Sequence, residues 1–121
     1  MRVVLIFLLG VMALAACSGG GDPAGAVEDY LQAKVASDAD QIRALLCSEM
    51  ESVLERETRT FESVSGVEIE DMSCVQNGDS NVVRCEGRII ALYGTEETEF
   101  PLVSYRVVEE DNQWKWCGEA P

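Results

Sequence analysis

The hydrophobic period of the chain changes once, at Ser65-Gly66, and that change decides the fold class. Before it, apolar residues recur at helical spacing; after it, they alternate at about every second residue. Val27, Tyr30, Leu31 and Val35 share one face of a helix predicted over residues 26–36. Asp22, or Asp22-Pro23, can start it, because an Asp side chain accepts from free first-turn amides and Pro suits the first helical position. Ser37-Asp38 interrupts the pattern, and a short second helix follows with Ile42, Leu45 and Leu46 inward and Asp40 near its start. Ser48-Glu49-Met50-Glu51 has the spacing of a capping box, with Ser48 as cap and Glu51 reaching back. It predicts a third helix with Met50, Val53, Leu54 and Phe61 inward and an outer Glu55–Arg59 pair at i, i+4.

Beyond Ser65-Gly66 four strands are expected: Val67–Val75, Val82–Tyr93, Glu97–Val108 and Gln113–Cys117. They are separated by Gln76–Ser80, Gly94-Thr95-Glu96 and Glu109–Asn112, all rich in turn residues. Pro101 has no amide to give a ladder, so it implies an edge or a bulge. Helices first, then consecutive short-looped strands, predict an α+β fold with a four-stranded antiparallel meander.

The N-terminus has a different character. Met1-Arg2 carries one positive charge, and Val3–Leu14 is then almost wholly apolar. Such a stretch is shorter than the roughly 20 residues that span a bilayer as a helix, and its charged start and small-residue end read as a secretory signal peptide. Leu14-Ala15-Ala16-Cys17 resembles the bacterial lipobox. The resemblance implies that residues 1–16 are removed, that Cys17 carries a diacylglyceryl group on its sulfur, and that the protein is anchored to the cell membrane or outer membrane, outside the cytoplasm. Two acyl chains suffice for stable anchoring. Ser18, rather than Asp, follows the Cys; in a double-membrane bacterium this favours the outer membrane. The Gly-rich run 18–25 cannot form a core and reads as a flexible tether, so residues 17–25 link the lipid to a domain over residues 26–121.

Loss of Arg2 with the leader leaves 8 basic against 22 acidic residues, a formal charge of −14. That charge argues against nucleic acid and anionic headgroups as direct partners. The chain has no His, which removes Ser-His and Cys-His nucleophile pairs, His metal sites and the usual acid–base group at neutral pH. No cofactor is indicated.

With Cys17 assigned to lipid, Cys47, Cys74, Cys85 and Cys117 remain, an even set that reads as two disulfides in an exported protein. A four-residue loop at 78–81 sets Asn77 against Val82 and so Cys74 against Cys85, leaving Cys47 for Cys117. A tighter Asn77-Gly78 turn would shift the register and spoil that pairing. The absence of any CxxC spacing argues against a four-thiolate zinc site.

The segments AVEDYLQAKVASDADQIRALLC and EEDNQWKWC, with this order of elements, resemble the NTF2-like (cystatin-like) superfamily and its small lipoprotein members over about residues 24–117. The resemblance implies a curved sheet wrapping the long helix around a conical pocket. The superfamily spans enzymes and binding modules, so it does not select a function. A non-catalytic module for an extracytoplasmic protein or small ligand is expected. The alternatives are an isomerase- or dehydratase-type enzyme, for which Tyr30 and Asp71 are the nearest candidates, and a self-associating envelope protein. Glu96, Glu97 and Glu99, or the turn Glu109-Glu110-Asp111-Asn112, offer oxygen ligands for calcium but lack EF-hand spacing, and read as solvated charge. Trp114 and Trp116 alternate around Lys115 and so share a face. They form either core beneath the helices or an exposed partner surface. The choice is tied to Cys117, which falls on the opposite face unless the strand end twists or bulges.

Overall fold

The computed structural model describes residues 21–121; the expected signal peptide 1–16, Cys17 and the first residues of the expected tether lie outside the described residues. Over the described residues the fold is α+β, with three α-helices, one 3-10 helix and a five-stranded antiparallel sheet. α1 (Pro23–Val35) starts three residues before the expected boundary. Asp22 and Pro23 act together there: Asp22 Oδ1 accepts from the Gly25 amide at 2.5 Å, and Pro23 occupies the first turn. Its inner face buries Val27, Tyr30, Leu31 and Ala33. α2 (Ala39–Leu45) is capped by Asp38, whose side chain accepts from the Gln41 amide, and buries Ile42.

The capping box at Ser48 does not form. Residues Ser48–Val53 are a 3-10 helix with no side-chain cap, and α3 is reduced to Leu54–Arg59. The cause is tertiary. The Cys47 amide donates to the Trp116 carbonyl at 2.9 Å, which pins this segment beside the last strand. Glu110 is then within reach, and its carboxylate accepts from the Ser48 amide at 2.9 Å and the Ser48 hydroxyl at 2.7 Å. An acceptor 62 residues away has replaced the local one. The exposed Glu55–Arg59 pair forms at 3.2 Å.

The strands are β1 (Ser65–Gln76), β2 (Val82–Tyr93), β3 (Glu96–Pro101), β4 (Ser104–Glu110) and β5 (Gln113–Glu119). Their order is β1-β2-β4-β5, with β3 also paired to β2. The expected strand 97–108 is thus two strands, and the sheet has five rather than four. β2 bends at Gly87, and the strand beside it breaks with it. Arg88–Tyr93 pair with β3, while Val82–Arg84 pair with β4. Pro101 gives no amide at the break, and single bonds from Leu102 N to Gly87 O and from Cys85 N to Val103 O span it. On the other flank, Asp71 adopts φ 54° where the β1–β2 register shifts. A bulge there and a glycine opposite it bend both strands together.

The core fills the space between the helices and one sheet face: Val27, Tyr30, Leu31, Ile42, Phe61, Val83, Ile89, Ala91, Val107 and Trp116. Among the described residues, the core and both disulfides lie within residues 22–121. The open edge of β5 is covered by Leu46, which pairs parallel to Trp116. The Cys74 amide of β1 donates to Glu28 of α1 at 3.2 Å. No helix among the described residues is long and apolar enough to cross a membrane.

Candidate functional site

The bend in the sheet opens a concave cavity of about 280 Å³ between α1, the end of α3 and the strands. Leu31 and Lys34 line it from α1, and Thr60 and Phe61 from the end of α3. Ile89 and Tyr93 of β2, Phe100 and Pro101 of β3, Leu102, Tyr105 of β4, and Trp116 and Glu119 of β5 complete the wall. Phe61 and Phe100 meet edge to face with centroids 6.1 Å apart. Tyr93 and Phe100 remain partly exposed at 44% and 39%, so aromatic surface reaches the solvent side of the cavity. A concave, mostly apolar wall with a few polar groups is the usual form of a small-ligand site.

Behind the wall is a buried polar cluster. Glu57 is 4% exposed. Its Oε1 accepts from the Tyr30 hydroxyl at 2.6 Å and from Lys34 Nζ at 3.1 Å, and Arg56 Nε lies 3.6 Å from its Oε2. Burial, and then the bond to the Glu57 carboxylate, raise the Tyr30 pKa far above its ordinary value. The phenol is therefore a fixed donor. Its ring stacks on Trp116 at 4.0 Å with the planes 7° apart. Lys34 Nζ also lies 6.0 Å from the Trp116 ring centroid, within cation–π range. Replacing Tyr30 with Phe is expected to cost about 1–3 kcal/mol in chemical unfolding, because the buried carboxylate loses one of its donors. A cost below about 0.5 kcal/mol would show that Lys34 and Arg56 satisfy Glu57 without it.

Trp116 is at the cavity wall and 4% exposed. Trp114 is partly buried and lines a separate groove with Asp22, Asp29, Gln41 and Leu45. Neither ring stands on the outer face as a paired exposed surface. Cys117 is nonetheless buried as well, because β5 carries an extra residue between its pairings. Val107 faces Trp116 but Tyr105 faces Glu119, and Gly118 takes φ 93° in the bulge. Tyr30 packs beneath Trp116 and is fully buried. Asp71 is in the β1 bulge, its side chain 81% exposed, near Arg88. The structure does not bring Tyr30 and Asp71 together. Glu57 was missed, although its signal is in the sequence: it occupies the i+3 position after Leu54 on the inward stripe of Met50, Val53, Leu54 and Phe61.

The disulfides are Cys47–Cys117 and Cys74–Cys85. Cys74 stands directly opposite Cys85 with Cα atoms 4.1 Å apart, and the Asn77 amide bonds the Val82 carbonyl across the turn. Among the described residues, the cluster of metal-ligand-type atoms is Cys47, Glu49 and Cys117, and both sulfurs are already bonded to each other. The acidic segments have other partners. Glu99 lies 3.5 Å from Arg88, and Glu110 binds Ser48, whose two donors hold its carboxyl below the ordinary value. Asp111 and Asn112 both take positive φ, as a two-residue hairpin turn requires. No family model matches the chain, and no curated protein matches it.

Proposed function

We propose that this protein is a membrane-anchored lipoprotein of the cell envelope whose NTF2-like domain binds a small apolar ligand in the concave cavity, without catalysing a reaction. The lipobox residues Leu14–Cys17 support the anchor, and the helix-then-bent-sheet order supports the NTF2-like assignment. The observation that carries the binding reading is the aromatic wall left open beside a closed core. Phe61, Phe100, Tyr105 and Trp116 surround a space that none of their neighbours fills. An enzyme of the isomerase type needs an acid or base free to meet substrate. The buried candidates are bonded to each other: Tyr30 to Glu57, and Glu57 to Lys34.

The uncharged fluorophore N-phenyl-1-naphthylamine is a suitable probe, since the acidic surface would repel an anionic dye. It is expected to bind the secreted, unlipidated chain from residue 18 with a rise in emission. Thr60 is exposed at the rim, so Thr60→Trp covers the mouth without disturbing the core. It is expected to weaken binding at least tenfold while melting unchanged. Probe binding equal in the two proteins would remove the cavity as the site. The anchor is tested separately: cells fed labelled palmitate are expected to label the protein, and Cys17→Ser is expected to abolish the label, because the acyl chains that would anchor it are carried by the residue-17 sulfur. Label retained in Cys17→Ser would refute lipid anchoring at Cys17.

A further inference from the structure

Trp116 contributes to the cavity wall and is 4% exposed, yet its indole Nε1 is buried and donates to no acceptor among the described residues. Buried tryptophan N–H groups ordinarily have a partner, because desolvating the donor without one is unfavourable. The ring is not free to find one elsewhere. Tyr30 stacks against it at 4.0 Å, and its backbone is held between Leu46 on one side and Val107 on the other. The surrounding charges also bear on the ligand. Lys34, the cation on the wall, is already matched by Glu57 at 3.1 Å, and Glu119 adds a further negative group. An anionic head would meet no uncompensated positive charge there.

We infer that the cavity selects an uncharged apolar molecule bearing one hydrogen-bond acceptor, a carbonyl-type oxygen, which accepts from Trp116 Nε1. This rests on the cavity being a binding site. A matched ligand supplies the missing acceptor; an analogue without the oxygen leaves the donor as unsatisfied as before, and the difference is discrimination.

Acetophenone and α-methylstyrene have nearly the same shape and differ in the carbonyl oxygen. Titration of the ¹⁵N-labelled secreted chain is expected to show acetophenone binding about tenfold more tightly, a typical effect for one neutral hydrogen bond in a buried site. The Trp116 indole N–H resonance, identified as the one remaining in Trp114→Phe, is expected to shift downfield with acetophenone and not with α-methylstyrene. Trp116→Phe removes the donor and is expected to equalise the two ligands; the indole shift in the unaltered protein decides the matter should that variant fold poorly. Equal affinities with an unmoved indole resonance would overturn the inference while leaving the cavity as a binding site. Failure of both compounds to perturb the cavity residues would overturn the inference and count against the binding reading too. Tighter binding of phenylacetate than of acetophenone would overturn the uncharged head.

Discussion

Replacing Cys47 and Cys117 together by alanine is expected to lower the melting temperature of the domain by about 20 °C. The bridge closes a loop with a sequence separation of 70, for which the chain-entropy model gives about 4 kcal/mol. A domain near 100 residues loses roughly 4–8 °C per kcal/mol. The location adds to the effect. Cys47 and Cys117 are 0% and 2% exposed, and they fasten the segment that covers the open edge of β5. Without the bridge, that cover relies on the Cys47–Trp116 backbone bond, on Lys115 Nζ donating to the Ala44 carbonyl, and on the exposed Glu110–Ser48 contact. The Cys74–Cys85 bridge, at a separation of 11, lies across an already paired hairpin. On loop length alone it stabilises by about 1.6 kcal/mol less. Thermal melts of the two double-alanine variants test the ranking. A drop below about 5 °C for Cys47/Cys117, or a larger drop for Cys74/Cys85, would show that the edge segment holds without its bridge.

Gly87→Ala is expected to be the most damaging single-methyl addition in the sheet. Gly87 has φ 108°, a region that L side chains rarely adopt. A Cβ there would stand 2.6 Å from the Glu70 carbonyl oxygen and 2.7 Å from that of Asp71. Both obstacles are backbone atoms within the bulge, so no flexible side chain can give way. Conformational strain and overpacking together predict a loss of about 3 kcal/mol or more. Because the same bend splits β3 from β4 and shapes the cavity, probe affinity is expected to fall with stability. Gly78→Ala serves as the comparison, since a Cβ there meets nothing within 4 Å and only its φ of 58° opposes it. Equilibrium urea unfolding measures both; equal, small losses would mean that the strands relax around residue 87 and that the bend is not fixed by glycine.

The sequence made some of this legible and hid the rest for identifiable reasons. Helix positions Val27, Tyr30 and Leu31, the limits of β2 and the Cys74-to-Cys85 register follow from local periodicity and turn length, and all appear in the structure. The capping box failed because Ser48 found a stronger partner in Glu110, a contact set by the path of the chain rather than by local spacing. The five-strand count was hidden in a continuous run from 97 to 108. Pro101 flagged its irregularity, but the bend itself is fixed from across the ladder by Gly87 and Asp71. The face of Trp116 could not be settled together with that of Cys117, because strict alternation forbids burying both. Gly118, the next residue, was the available sign of a bulge. The cavity lies at the junction of α1, the end of α3 and four strands, so no single stretch of sequence encodes it.

A backbone chemical-shift map of the chain from residue 18, titrated with N-phenyl-1-naphthylamine, tests directly whether the concave cavity is the binding site. Perturbations are expected to concentrate at Leu31, Lys34, Phe61, Ile89, Phe100, Tyr105 and Trp116. Saturating shifts centred instead on the Trp114 groove or on the outer sheet face around Arg88, with these residues unmoved, would contradict binding in the cavity.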